Sequence, residues 1–214
     1  MPRIVMLGPP GAGKGTQGYR LSRAWQVPHI ASGDLLRRVI EEEDSELARA
    51  ARVIHEGEMV SDEIASAVVF RELEASSGFV LDGYPRNVAQ AQTLNQFLEA
   101  HETALDAVLL LRLSEQEILR RLGGRLTCVN CGESFHTASE PPRQPGICDR
   151  CGGNLVVRED DHPDRVRVRL ALYAERTEPV IQFYRNRGVL REVDAEGSED
   201  EVFLRCQQVV GVNQ

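Results

Sequence analysis

Short apolar segments alternate with amphipathic segments along most of the chain. We expect five short strands, at Arg3–Leu7, His29–Ala31, Gly78–Leu81, Ala107–Leu113 and Val189–Val193. Between them lie segments with helical periodicity, including those at 13–25, 87–100 and 164–187. Such alternation is typical of βαβ units, so the pattern predicts an α/β fold with a mostly parallel sheet.

Polar residues mark the expected helix starts. Ser61 and Ser114 each precede an apolar-periodic segment, and Glu117 stands three residues after Ser114, as in a capping box. Residues 124–161, by contrast, are rich in Gly, Pro and Cys and have no helical period. We therefore expect a small subdomain inserted there in the α/β frame.

The composition is that of an ordinary globular protein. The chain has 214 residues, of which 42% are apolar and 27% charged, enough for one sizeable domain with small insertions. No stretch approaches the roughly 18 apolar residues of a membrane helix, and the first residues resemble neither a signal nor a transit peptide. A net charge of −8 argues against a nucleic-acid partner. We expect a cytoplasmic protein with no membrane or nucleic-acid partner.

The run from Gly8 to Thr16 follows a strand directly and opens a helix. Its glycines let backbone N–H groups turn inward around an anion, and the helix N-terminus adds partial positive charge. Lys14 is expected beside the β- and γ-phosphates of a nucleotide. The run matches the common P-loop motif, G-x-x-x-x-G-K-[ST], at Gly8, Gly13 and Lys14. Gly15 stands where this motif has Ser or Thr, and Thr16 supplies the hydroxyl instead. The alternative, a glycine-rich turn with an exposed lysine, is disfavoured by the strand–loop–helix order.

Two further segments carry candidate polar and charged site residues, Ser32–Arg37 and Asp82–Arg86, and the family resemblance described below implies that both bind the acceptor. Asp82 ends an apolar strand, where P-loop enzymes place a carboxylate that orders Mg²⁺ through water. Arg86 offers a planar fork for a phosphate, and the Gln90 amide is able to donate and accept on a base edge. Taken singly these residues have ordinary explanations, a solvated arginine, a tight turn and a surface glutamine. Their order after the P-loop favours a site.

Four cysteines form two Cys-x2-Cys pairs, Cys128 with Cys131 and Cys148 with Cys151. Such pairs supply four thiolates to one tetrahedral Zn²⁺, and a short insert poor in core residues needs such a cross-link. Disulfides, a redox pair or an iron–sulfur cluster are the alternatives. Four protein ligands leave no open position, so the metal is expected to be structural. Cys206 is expected to be a small buried apolar residue.

The P-loop with Gly15, the two acceptor motifs and the cysteine insert together resemble the nucleoside monophosphate kinases, and the long-lid, zinc-containing adenylate kinases in particular. The resemblance covers essentially the whole chain. It implies a P-loop three-layer α/β fold with a parallel sheet, a helical AMP-binding insert and a small zinc-bearing lid. The implied segments are a core at 1–31, 62–123 and 162–214, an AMP-binding subdomain at 32–61 and a lid at 124–161. The implied reaction is reversible transfer of the γ-phosphoryl group from Mg-ATP to AMP, which gives two ADP.

The resemblance also implies roles for individual residues. The implied ATP-binding residues are Gly11, Ala12, Gly13, Lys14, Gly15, Thr16, Arg121, Arg125, Ser134, Phe135 and Gly197. The implied AMP-binding residues are Ser32, Arg37, Glu58, Met59, Val60, Gly83, Arg86, Gln90, Arg158 and Arg169. The implied catalytic residues are Lys14, Arg37, Arg86, Arg125, Arg158 and Arg169, with Asp82 associated with Mg²⁺.

Two of these assignments keep an alternative. Phe135 either stacks on adenine or packs in the core of the lid. Arg165 and Arg169 lie four residues apart, so they share a helix face, and geometry does not choose between them. The family pattern R-x-R-L, matched at 167–170, favours Arg169.

Such a reaction needs no general base, because the attacking phosphate oxygen is already ionised. The protein must instead align the two nucleotides, neutralise charge and exclude water under a closed lid. The expected partners are ATP, AMP and ADP, and the expected state is a monomer. The nearest alternative is another nucleoside monophosphate kinase, with a UMP, CMP or GMP acceptor or a GTP donor.

Two alternatives from other classes are weaker. A nucleotide-gated module with a nucleic-acid-binding cysteine knuckle needs a basic patch, and the charges around the cysteines are mixed. A structural zinc protein with a degenerate P-loop is disfavoured because Lys14, Thr16 and Asp82 are all present.

Overall fold

A parallel sheet of five strands forms the centre of the molecule. The computed structural model describes residues 1–41 and 61–211. The strands, numbered along the chain, are β1 (Arg3–Leu7), β2 (His29–Ala31), β3 (Phe79–Asp82), β4 (Ala107–Arg112), β5 (Arg125–Cys128), β6 (Ser134–His136), β7 (Leu155–Val156) and β8 (Leu190–Asp194). The central sheet has the order β2-β3-β1-β4-β8, and each neighbouring pair is parallel. The predicted parallel sheet is confirmed, and the bounds of three of its five strands differ by one residue from those predicted.

Helices occupy the segments between the strands. They are α1 (Lys14–Trp25), α2 (Ser32–Glu41), α3 (Asp62–Glu74), α4 (Val88–Ala100), α5 (Glu115–Gly123), α6 (Pro163–Leu172), α7 (Glu178–Asn186) and α8 (Glu199–Val210). The predicted caps are confirmed. The hydroxyl of Ser61 accepts from the backbone N–H of Ile64, and that of Ser114 accepts from the backbone N–H of Glu117. The Glu117 carboxylate does not return to Ser114 but binds Arg120 and Arg121. A reciprocal capping box is found at the start of α8 instead.

The sheet is covered on both faces. Alternate residues of β1 belong to two different clusters, Val5 and Leu7 to one and Ile4 and Met6 to the other. The first cluster includes residues of α2, α3, α4 and α7, and the second includes residues of α1 and α8. This is the expected three-layer arrangement. Cys206 is fully buried in the second cluster, as predicted for a small apolar residue.

The helix predicted as one segment at 164–187 is divided, and that prediction was wrong in detail. A π-helical turn, Tyr173–Thr177, separates α6 from α7. Pro179 lies in the first turn of α7. A proline lacks the N–H that a continuous α-helix needs, and its ring clashes with the carbonyl four residues earlier, here that of Glu175. The chain therefore winds more widely just before the proline.

The insert at 124–161 contains a small antiparallel sheet of order β6-β5-β7. The sequence predicted an insert without helical period but not these strands. A 3-10 turn, Glu159–Asp161, leads from the insert into α6. We call residues 124–161 the lid. Within residues 1–41 and 61–211, no helix has the length and apolar character to cross a membrane.

Candidate active site

The loop between β1 and α1 lies at the carboxyl edge of the parallel sheet. Gly8 has φ +145°, and a Cβ atom there would lie 2.8 Å from the Leu111 carbonyl oxygen, so only glycine fits. Gly13 is the N-cap of α1, and among residues 1–41 and 61–211 no side chain caps this helix. The backbone N–H groups of the first turn of α1 therefore point out of the helix into the loop. The helix dipole makes this end partly positive.

Lys14 is held against this loop. Its Nζ donates to the carbonyl oxygens of Gly8 and Pro9, at 2.8 and 2.9 Å. Burial lowers the pKa of Lys14 to about 8, and the negative charge of Asp82 opposes this effect. Three positive groups lower the Lys14 pKa further: Arg86, Arg169 and Arg125. Four charged side chains from distant parts of the sequence therefore surround the lysine.

Asp82 ends β3 beside the P-loop. A Cβ atom on Gly15 would lie 3.6 Å from Asp82 Oδ2, so the carboxylate reaches the first turn of α1. Thr16, one residue later, is partly buried. A carboxylate and a hydroxyl are oxygen donors of the kind that Mg²⁺ prefers, with water filling the remaining positions. The residues present fit a magnesium–nucleotide site.

Gly83 brings together two side chains predicted for the acceptor site. Gly83 has φ +78°, and a Cβ atom there would lie 2.6 Å from Ser32 Oγ and 3.4 Å from Arg86 Nη2. Arg86 is exposed, and its Nε donates to the Gly83 carbonyl oxygen at 2.7 Å. Ser32 is 3% exposed, yet its Oγ has no hydrogen-bond partner among the residues that the structure describes. A buried hydroxyl without a partner is suited to a ligand.

Gln90 is buried next to this pair. Its Oε1 accepts from the Arg86 backbone N–H at 2.7 Å, and its Nε2 donates to Asp62 Oδ1 at 2.7 Å. Asn87 caps α4 and also donates to Asp62. The sequence indicated Gln90 but missed its contact with Asp62, because the two residues are 28 positions apart. The network that holds the Arg86 backbone thus extends into α3 and α4.

Arg125 and Arg169 meet at one buried carboxylate. Arg125 lies where the lid begins and Arg169 on α6, and both donate to Asp161, whose side chain is fully buried. Arg158 is the N-cap of the 3-10 turn that contains Asp161. Sequence reasoning did not assign Asp161 a role, since only the fold brings it between the two arginines.

On α6 the structure separates two arginines that the sequence could not. Arg169 is partly buried and forms an ion pair with Asp161, and its positive charge lowers the pKa of Lys14. Arg165 is exposed. The geometry therefore supports Arg169 as the arginine that faces the P-loop.

Arg121 connects α5 with the loop before α8. Its Nη2 donates to the carbonyl oxygens of Ala195 and Gly197, at 2.9 and 3.4 Å, and its Nε pairs with Glu117. A Cβ atom on Gly13 would lie 3.9 Å from Arg121 Nη1. Arg121 and Gly197, both expected to bind ATP, are thus adjacent to each other and to the P-loop.

The four paired cysteines converge at one point of the lid. Their sulfur atoms all lie within 4.8 Å of one another, with 3.4 Å between Cys128 and Cys151 and 3.6 Å between Cys131 and Cys148. Zn–S bonds of about 2.3 Å at tetrahedral angles place sulfurs about 3.8 Å apart. The cluster has the right donors and spacing to bind zinc.

The electrostatics of the sulfur cluster fit a bound cation. Burial raises the pKa of Cys128, but the backbone N–H groups of Cys131 and Asn130 outweigh it, and the pKa falls to about 6. Burial and the neighbouring sulfurs raise the pKa of Cys131 to about 12. Crowded thiols resist joint ionisation unless a metal ion neutralises them.

Ser134 and Phe135 lie on β6 of the lid. They line an open cleft of about 400 Å³ together with Glu133, Pro141 and Arg150, among others. Phe135 is partly buried and pairs with Leu126 on β5. Both roles foreseen for Phe135, base stacking and lid packing, are compatible with this position.

Part of the predicted AMP site cannot be placed. Glu58, Met59 and Val60 lie outside the described residues, as does most of the expected 32–61 subdomain. Arg37 is in α2, but its side chain is also outside the described part. Of the remaining predicted site residues, Gly11 and Ala12 lie in the P-loop with Gly13.

Comparison with known proteins gives a consistent result. Residues 6–189 match a family model described as adenylate kinase. The chain is 43% identical over 213 residues to an adenylate kinase of Streptomyces coelicolor, covering 97% of this chain and 98% of that protein. It is 41% identical over 212 residues to one of Clostridium botulinum, covering 98% of both chains. It is 38% identical over 213 residues to one of Lachnospira eligens, covering 98% of this chain and all of the relative.

Proposed function

The chain belongs to the adenylate kinase family, the nucleoside monophosphate kinases that transfer a phosphoryl group between ATP and AMP, and on this premise we propose how its residues perform the transfer. One observation carries the proposal. Asp82, Arg86, Arg125 and Arg169 come from three segments outside the P-loop, and their charges act on Lys14 at the carboxyl edge of the parallel sheet. Ligands bind at this edge in open α/β sheets.

The donor nucleotide occupies the P-loop side. The N–H groups of Gly13, Lys14 and Gly15 and the ammonium of Lys14 hold the phosphates of ATP. Asp82 and Thr16 would hold Mg²⁺, which would supply positive charge against the phosphates of ATP. Arg121, Ser134, Phe135 and Gly197 hold the nucleoside, a role supported by the contact between Arg121 and Gly197.

The acceptor nucleotide occupies the side of β3 and α2. Arg86 binds the AMP phosphate, and this role is supported by the position of Arg86 beside the buried hydroxyl of Ser32. Gln90 and Ser32 contact the base. Arg37, Glu58, Met59, Val60 and Arg158 complete this side by resemblance to the family.

The transfer itself is electrostatic. A phosphate oxygen of AMP is ionised and attacks in line, so the protein needs no general base. Arg125 and Arg169 approach the transferring group together because Asp161 holds both. Each positive group stabilises the charge that develops on the equatorial oxygens, and a closed lid excludes water as a competing nucleophile.

Zinc in the lid has a structural role in this proposal. Cys128, Cys131, Cys148 and Cys151 supply four thiolates and leave no coordination position for substrate. The core, AMP-binding and lid boundaries given above, a monomeric state and cytoplasmic residence stay predictions.

Comparison of two arginines on α6 tests the assignment. Arg169→Ala is expected to lower kcat by about 100-fold or more, the usual effect of losing a group that stabilises the transition state. Arg165→Ala, which removes the same charge one turn earlier on the same helix, is expected to leave kcat within about twofold, as exposed substitutions usually do. A loss of kcat only in Arg165→Ala would reverse the assignment, and equal losses in the two variants would contradict it.

A further inference from the structure

The carboxylate of Asp62 connects the start of α3 to the side chains of α4. Asp62 Oδ1 accepts from Gln90 Nε2 at 2.7 Å, and both of its oxygens accept from Asn87 Nδ2, at 3.0 and 2.9 Å. Asn87 is itself fixed, because its Oδ1 accepts from the Gln90 backbone N–H at 2.8 Å. Asp62 thus receives the N–H groups of two amide side chains.

These contacts fix which end of the Gln90 amide is oxygen. The two ends of a glutamine amide have nearly the same shape, so its orientation is set by its partners. A backbone N–H, here that of Arg86, is able only to donate, and it faces Oε1. A carboxylate is able only to accept, and Asp62 faces Nε2. Rotating the amide by half a turn would place donor against donor and acceptor against acceptor.

The orientation matters for the chemistry of the base. After these two bonds, Gln90 retains one N–H and one lone pair. The pairing edge of adenine offers an amino donor and a ring-nitrogen acceptor, whereas that of hypoxanthine or guanine offers a carbonyl acceptor and a ring N–H donor. A glutamine locked in one orientation complements one of these patterns and opposes the other.

We infer that Asp62 is a positioning residue that sets the acceptor specificity by locking the Gln90 amide in the orientation that complements adenine. The inference rests on the proposed contact between Gln90 and the AMP base. Asp62 itself touches no nucleotide in this scheme and acts through Gln90. Its other contribution, an acidic residue in the first turn of α3, is shared with the exposed Glu63.

The test compares AMP with IMP, which differ in the hydrogen-bond pattern of this edge, as acceptors for ATP. Asp62→Ala is expected to reduce the ratio of kcat/KM for AMP to that for IMP about tenfold, the effect of one hydrogen bond to a charged group. The change is expected in KM for AMP, with kcat nearly constant. Asp62→Ser, whose hydroxyl donates or accepts, is expected to reduce the ratio as well and carries the test if the alanine variant does not fold. Asp62→Asn keeps an acceptor oxygen and is expected to retain most of the ratio.

Two further variants separate the possible failures. Glu63→Ala makes the same charge change at the next position of α3 and is expected to leave the AMP-to-IMP ratio unchanged. Gln90→Ala removes the base contact itself and is expected to reduce the ratio more than Asp62→Ala does. A ratio that falls in Gln90→Ala but not in Asp62→Ala or Asp62→Ser would overturn the lock alone. A ratio unchanged in Gln90→Ala would overturn the proposed base contact, and the lock with it.

Discussion

Asp161 and Arg125 form a bidentate ion pair, although they are 36 positions apart. Arg125 Nε donates to Asp161 Oδ2 at 2.6 Å and Arg125 Nη2 donates to Asp161 Oδ1 at 2.5 Å. The Asp161 side chain is fully buried, while 21% of the Arg125 side chain is exposed. Arg169 joins the same carboxylate at 3.0 Å. Asp161 thus connects the first residues of the lid to α6.

Replacement of Asp161 by asparagine is expected to loosen the lid and slow the reaction. Removing one partner of a buried ion pair typically costs about 3–5 kcal/mol, because the charges left behind lose their counterion. Here the partly exposed arginines reduce that cost, and local opening of the lid absorbs part of it. We expect faster hydrogen exchange in residues 124–161 and a kcat about tenfold lower, or more, from misplaced arginines.

Asp164→Asn is the control for this experiment. Asp164 also pairs with an arginine on α6, but 96% of its side chain is exposed. An exposed ion pair contributes little, so exchange and kcat are expected to stay near those of the unmodified enzyme. Unchanged lid exchange in Asp161→Asn would show that this carboxylate does not hold the lid.

The contiguous motifs were predictable from the sequence, and the contacts across the fold were not. The P-loop, the strand that precedes it and the Cys-x2-Cys pairs depend on residues a few positions apart, so local pattern was sufficient. Asp161 and Asp62 each bind partners far along the chain, and only the folded structure brings these residues together. The interruption of the predicted long helix had a local signal, Pro179, which the helical periodicity concealed.

Lys14 gives a pH dependence of known direction. Burial lowers its pKa to about 8, so in the free enzyme its ammonium is present below this pH and is lost above it. Binding of anionic phosphates requires the ammonium. We therefore expect kcat/KM for ATP, measured at saturating AMP, to fall above about pH 8. The fall in kcat should occur at higher pH, since bound phosphates favour the charged form.

The Lys14→Arg variant identifies the titrating group. An arginine stays protonated throughout the accessible range, so the alkaline fall in kcat/KM should disappear even though the absolute rate is lower. An alkaline fall at the same pH in Lys14→Arg would assign the titration to another group.

Removal of the lid metal is expected to affect stability more than turnover. A structural zinc site contributes folding free energy to the segment that it cross-links, and the lid has little apolar core of its own. A chelator should lower Tm markedly, while turnover at low temperature falls less, and added Zn²⁺ should restore both. Cys128→Ser should lose the metal, whereas Cys206→Ser should retain it, because Cys206 lies in the core of the sheet domain.

This expectation is open to a direct contradiction. If chelation reduces low-temperature turnover as strongly as it reduces thermal stability, the metal is not purely structural.

Glu199, in the first turn of α8, is expected to destabilise the protein near neutral pH. Burial, and then the charge of Glu140 on the lid, raise the pKa of Glu199 to about 6, and Arg20 opposes the shift. The folded protein therefore binds this proton more tightly than the unfolded chain does. Protonation of Glu199 therefore stabilises the folded state. This contribution is complete below the ordinary pKa of 4.5 and is lost as the pH rises through about 6.

The glutamine variant of Glu199 removes the titration. Glu199→Gln should raise Tm at pH 7.5, and the difference should shrink towards zero below the ordinary glutamate pKa. Glu201→Gln on the same helix should do the opposite at pH 7.5, because hydrogen bonds from Ser198 lower the Glu201 pKa. A Tm increase that is independent of pH in Glu199→Gln would rule out the titration as its cause.

The most direct measurement is ADP formation from Mg-ATP with AMP, GMP, UMP and CMP offered separately. We predict turnover that strongly favours AMP, and formation of ATP and AMP when ADP alone is supplied. Faster turnover with another monophosphate would contradict the acceptor site built from Ser32, Arg86 and Gln90. Absence of transfer to all four, with ATP still bound, would contradict the account of this chain as a kinase.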